Sequence, residues 1–137
     1  MAYSFQNKAS NVGVTVGELN EVLNNTPPYR VYTALLTQTG TDAPEAIVLE
    51  NTIGDIWFTY QQSGIYIINS NNLFTEGKTV SPQDQTKCRV YGDFTLDYNI
   101  RMEFNNISYI GMSISNDDSE YIDNVLIYKF FEIRVYN

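Results

Sequence analysis

The residues able to do chemistry in this 137-residue chain are carboxylates, tyrosines and one thiol, because the sequence contains no histidine. Ser-His-Asp and Cys-His nucleophiles are thereby excluded. The densest acidic run is Asn116-Asp117-Asp118-Ser119-Glu120, with Asp123 close behind. Clustered carboxylates suit Ca²⁺, but an EF-hand loop needs Gly at its sixth position and Glu at its twelfth, and this run supplies neither. It reads as a solvated turn between strands, and neither a metal site nor a cofactor is expected. Glu50, Asp55, Asp93, Asp97 and Glu103 fall at or near strand ends, where two acids facing each other across a cleft could hydrolyse a glycoside. Their spacing selects no pair, and no Gly-rich phosphate loop or CxxC pair is present. No catalytic residue is assigned, and the chain is not expected to be an enzyme.

Cys88 stands between Lys87 and Arg89, two cations that would lower its pKa at an exposed position. The ordinary role for a free Cys in a strand-like run is to fill space as a small apolar group. As the single cysteine it forms no internal disulfide. Trp57, Tyr60 and Tyr66 are the candidate ligand-contacting aromatics, since an exposed aromatic face stacks on the apolar face of a sugar ring. Trp57 and Tyr60 have opposite parity in a regular strand, so core filling competes with that role. Surface tyrosines serve subunit contacts equally well.

These groups need a scaffold, and the composition points to sheets. Eleven Tyr, seven Phe and one Trp bring aromatic content to 14%, and β-branched and aromatic side chains suit a pleated, half-buried surface. At 43% hydrophobic the chain fits one domain burying roughly two-thirds of its unfolded surface. Sixteen acids against eight bases leave a net charge of −8, which repels nucleic acid and anionic membrane surfaces. The polar start, Met1 to Ser10, and the lack of any apolar run near the ~20 residues that span a bilayer predict synthesis in a cytoplasm and no membrane insertion.

Residues 1–28 read as an N-terminal arm and residues 29–137 as the folded domain, with the boundary at Pro27-Pro28. Within the arm, Val16, Leu19, Val22 and Leu23 recur at helical spacing, and Thr15 with Glu18 has the form of a capping box, which predicts a helix of one to two turns. So short a helix must dock on something: its own domain, its copies around a symmetry axis, or the surface of a larger particle that hosts it. These four residues are therefore the candidates for oligomerisation or anchoring. Beyond Tyr29, apolar runs alternate with turn signals, predicting strands at 30–38, 46–50, 55–61, 64–68, 88–94, 100–105, 108–115 and 125–136, with a short one near Thr79-Val80. Hairpins are expected for 56–60 with 65–68 and for 101–104 with 108–110, and the 69–85 connection is expected to cross between sheets. The last strand should place Phe131, Ile133 and Val135 on one face and be central or paired rather than a free edge. The expected fold is all-β, an antiparallel β-sandwich of jelly-roll-like kind behind a short helical arm.

The run from Pro27 to Phe74 carries Tyr29-Arg30-Val31-Tyr32-Thr33-Ala34-Leu35-Leu36-Thr37-Gln38, then Val48-Leu49-Glu50-Asn51-Thr52-Ile53-Gly54, then a Trp-bearing strand at Ile56 to Tyr60. It resembles a small β-sandwich module that recurs in virion proteins of tailed bacteriophages, including phages of the Bacteroidetes and the crAss-like group. The resemblance implies a virion structural protein, made in the host bacterial cytoplasm: a homotrimeric head or tail fibre, spike or capsid-decoration protein. Its arm would trimerise or anchor on other virion proteins, and its sandwich would project and meet a host surface glycan. The alternative from another class is a carbohydrate-binding adhesion module.

Overall fold

The computed structural model describes residues 27–92 and 96–137, and among them there are strands and turns but no helix. The strands are β1 (Tyr29–Thr37), β2 (Glu45–Asn51), β3 (Ile56–Gln62), β4 (Ile65–Ser70), β5 (Thr79–Val80), β6 (Thr86–Arg89), β7 (Asp97–Asn106), β8 (Tyr109–Ser115) and β9 (Lys129–Tyr136). They form two antiparallel sheets, one of four strands in the order β2-β1-β9-β5 and one of five in the order β3-β4-β8-β7-β6. The predicted arm helix with Val16, Leu19, Val22 and Leu23 lies outside the described residues.

Alternation explains the architecture. In β1, Tyr32, Ala34 and Leu36 are buried; in β9, Phe131, Ile133 and Val135 are buried. The five-stranded sheet contributes Phe58, Tyr66, Ile68, Ile100, Ile110, Met112 and Ile114 to the same apolar cluster. The two sheets therefore share one core. Phe58 is its hinge point, with its ring centroid 5.9 Å from Phe131 and 6.3 Å from Tyr32, both on the other sheet.

Both predicted hairpins form, as β3-β4 and β7-β8, and each is closed with a bulge near its turn. The 69–85 connection does cross: β4 and β6 belong to the five-stranded sheet while β5 pairs with β9 in the other. β9 is internal, between β1 and β5.

Two strand expectations need correction. In the segment read as 88–94 the strand ends at Arg89 as far as the chain is described, because it turns at Tyr91-Gly92, with Gly92 at φ +81°, and Val90 N–H donates to the carbonyl of Leu96; positions 93–94 lie outside the described residues. The segment read as 125–136 becomes a strand at Lys129. Asn124 and Tyr128 sit in the left-handed region at φ +66° and +46°, which breaks the extended backbone. Val125 and Leu126 are buried nonetheless, as a plug under the core rather than as strand residues.

That plug is pinned by Gln38, which is only 2% exposed. Its N–H donates to the Leu126 carbonyl, its amide oxygen accepts from Asn124 N–H at 2.9 Å, and its amide NH₂ donates to the carbonyls of Gly40 and Asp42. A buried amide with its donors and acceptor engaged fixes a loop 86 positions away.

Candidate functional site

Three places gather side chains of functional type: the Asp123 cluster, the outer face of the five-stranded sheet, and the free edge of the four-stranded sheet.

Asp123 ends a turn that begins with the acidic run. Asn116 organises that turn, its side-chain oxygen accepting from the N–H groups of Asp118 and Glu120. Asp117 points away to an exposed ion pair with Lys87 at 3.1 Å. Asp123 turns inward instead. It accepts from the Tyr60 hydroxyl at 2.8 Å, the Tyr66 hydroxyl at 2.7 Å and the Gly64 N–H at 2.8 Å. Burial by itself would raise its pKa, but the bonds from Gly64, Tyr66 and Tyr60 outweigh it and hold the carboxyl below its usual value. Burial, followed by the bond to Asp123, pushes the Tyr66 phenol well above its usual value. Among the described residues no group of three or more Cys, Asp or Glu is placed to hold a metal. The carboxylate is used as a tie between the β3-β4 turn and the loop before β9.

Of the three candidate aromatics, Tyr66 is fully buried, Tyr60 packs at the core margin with its ring 5.8 Å from Tyr66, and Trp57 faces outward. The structure thus brings Tyr60 and Tyr66 together around Asp123 and sets Trp57 on the opposite face of the sheet. Cys88 is partly buried, with Sγ 3.7 Å from the Thr86 hydroxyl.

The outer face of the five-stranded sheet carries a groove of about 520 Å³. Its floor is β8, whose outward positions Gly111, Ser113 and Ser115 are short. One wall is β7, where burial of Tyr98 and Ile100 turns Asn99, Arg101 and Glu103 outward. Register aligns the wall with the floor: Glu103 lies opposite Gly111, Arg101 opposite Ser113 and Asn99 opposite Ser115. Ile65, paired to Ser113 from the other side, makes the facing apolar wall. Tyr121 closes one end, held beside Ser115 by an isolated bridge and 52% exposed. Among the described residues neither Arg101 nor Glu103 takes part in an ion pair, whereas Lys87 and Arg89 on the neighbouring strand are engaged by Asp97 and Asp117. Sequence reasoning passed over Arg101, Tyr121 and the groove as a whole. The alternation in Asn99-Ile100-Arg101-Met102-Glu103 was a usable signal, while the approach of Tyr121 to β8 was not.

The third place is β2, an edge strand exposed along its whole length. Ile47, Val48 and Leu49 each leave more than half of their surface open. Pairing sets Ile47 opposite Leu35 and Leu35 opposite Phe130, itself exposed, so an apolar row crosses three strands on the outside of the four-stranded sheet. Glu45 and Glu50 bracket the strand, and its register with β1 shifts between Thr33 and Ala34.

No family model, curated protein or solved structure matches the chain.

Proposed function

We propose that the protein is a structural component of a tailed-bacteriophage virion, a homotrimeric head or tail fibre, spike or capsid-decoration protein. On this reading its two sheets are the layers of a β-sandwich, jelly-roll-like in kind, that projects from the particle. The resemblance of the 27–74 run supplies the setting. The single observation that carries assembly as the role is β2. A long edge strand with three consecutive exposed large apolar residues invites pairing and aggregation in a protein that works alone. A neighbouring subunit that covers it turns the liability into an interface.

The quoted motif itself is structural on this reading. Asn51 accepts from the N–H groups of Ile53 and Gly54, and the Thr52 hydroxyl accepts from Val31 N–H at 2.8 Å, so the Glu50-Asn51-Thr52-Ile53-Gly54 stretch locks the turn after β2 onto β1. A motif spent on shaping β2 and its exit fits an assembly module better than a reaction centre. The arm with Val16, Leu19, Val22 and Leu23 is then the anchor to other virion proteins, and β2 with its apolar row is the contact between copies.

Light scattering of the full chain at micromolar concentration tests this. A mass three times the 15.7 kDa of one chain is expected, falling to that of one chain in Ile47→Lys and Val48→Lys with the melting temperature of the dissociated form kept. A monomeric wild type would overturn the trimer. A trimer that persists in both variants would move the contact away from β2. Detection of the protein by mass spectrometry in purified virions is the matching test of location.

A further inference from the structure

We infer that the groove over β7 and β8 binds a neutral oligosaccharide, with Tyr121 as the stacking platform and Arg101 and Glu103 as the hydroxyl-reading pair.

The chemistry of the walls selects the ligand class. Arg101 and Glu103 stand two residues apart on the same face of β7, a donor-only fork beside an acceptor-only carboxylate. A sugar hydroxyl both donates and accepts, so neighbouring hydroxyls on a ring satisfy both groups at once. An anion would be drawn by Arg101 and repelled by Glu103, and a simple cation would meet the reverse. A peptide adding a strand needs a free backbone edge, but β8 is paired on both sides, to β4 and β7, where the groove runs. Nucleic acid is disfavoured by the net charge of −8. The half-open ring of Tyr121 at one end and the apolar wall of Ile65 match the two-sided character of a pyranose, apolar on its faces and polar at its rim. Asn99 on the β7 wall and Ser113 on the floor add further donors and acceptors.

Trp57 takes no part. It lies on β3, in register with Asn69 and through it with Tyr109, at the other side of the same face and outside the groove lining. The inference rests on the groove and not on assembly, and the two are read out separately: β2 variants change mass, groove variants change sugar binding.

Isothermal titration and affinity electrophoresis of the full chain against cellohexaose, xylohexaose, mannohexaose and maltohexaose, with polygalacturonate as the anionic probe, test it. At least one neutral probe should bind. Tyr121→Ala should weaken that binding about tenfold, the order expected for one lost aromatic contact, while Tyr121→Phe should retain it. Arg101→Gln and Glu103→Gln should each weaken it about tenfold, and Trp57→Ala should leave it unchanged. Melting curves of each variant confirm folding, and all four positions substituted are exposed. Binding of none of the neutral probes at millimolar concentration, binding of polygalacturonate alone, or binding lost in Trp57→Ala but not in Tyr121→Ala would each overturn the proposal.

Discussion

The hydroxyl of Tyr66 donates to Oδ1 of Asp123 across 2.7 Å, joining the start of β4 to the loop that leads into β9, 57 positions later. Tyr60 donates to the other carboxylate oxygen and Gly64 N–H to the first, so one partly buried carboxylate holds a turn and two rings. Because these bonds favour the ionised form, the folded-state pKa of Asp123 lies below its unfolded value. A depressed carboxylate contributes stability that is present above the unfolded value of about 4 and is lost as pH falls through the folded one. The melting temperature of the wild type should therefore drop more steeply below pH 4 than that of Asp123→Asn, which has no charge to lose. At pH 7, Asp123→Ala should cost about 2 kcal/mol in urea unfolding, since it strands two phenols and an N–H. Parallel acid limbs for wild type and Asp123→Asn would show that the carboxylate is not the tie.

The alkaline limb runs the other way. Burial raises the phenols of Tyr66 and Tyr98, with Asp123 adding to the first and Cys88 to the second. A raised folded-state pKa gives stability that is fully present below the unfolded value of about 10 and is lost as pH rises beyond it. Tyr66→Phe should be less stable than wild type at pH 7, because Asp123 loses a donor, yet lose less stability between pH 9 and 11. Thermal melts across that range check both signs in one series.

Gly64 is the point where this cluster admits no side chain. Its φ is +67°, and a Cβ there would lie 2.5 Å from the Ile114 carbonyl oxygen and 2.7 Å from the Ile122 nitrogen, both backbone atoms unable to yield. Gly64→Ala should cost about 3 kcal/mol or more by combining left-handed strain with a clash. Gly77→Ala, at φ +73° but with open space around it, should cost only about 1–2 kcal/mol. Equal losses for the two would remove the packing argument and leave backbone strain alone.

What the sequence disclosed followed the range of each interaction. Period-two alternation is local, so Phe131, Ile133 and Val135 could be assigned to one face, and the two hairpins followed from short turns between apolar runs. Failures came where backbone twist or distant partners overrode pattern. Val125 to Tyr128 is apolar enough for a strand, but Asn124 and Tyr128 take left-handed conformations and Gln38 secures the segment from the far end of β1. Asp123 looked like one more surface acid because its partners, Tyr60, Gly64 and Tyr66, are brought to it only by the long-range pairing of β4 with β8, after which the chain folds back beside the β3-β4 turn. The groove was half legible: alternation turns Arg101 and Glu103 to one face, but their alignment with Ser113 and Gly111 depends on a register that includes a bulge near Phe104.

The domain boundary expected at Pro27-Pro28 gives the last prediction. The described body has a continuous core from Tyr32 in β1 to Val135 in β9, drawn from both sheets, and β1 begins directly after Pro27-Pro28. Removal of residues 1–26 should leave a chain that unfolds in one cooperative β-type transition, with a melting temperature close to that of the full protein. On the proposed reading of a trimeric virion protein with β2 as the contact between copies, the truncated chain keeps the trimeric mass and loses only its attachment to particles, measured by co-sedimentation with virions. A truncated chain that is folded but monomeric would transfer the trimer contact to Val16, Leu19, Val22 and Leu23. An unfolded one would make the arm part of the core and set the domain boundary earlier than Pro27.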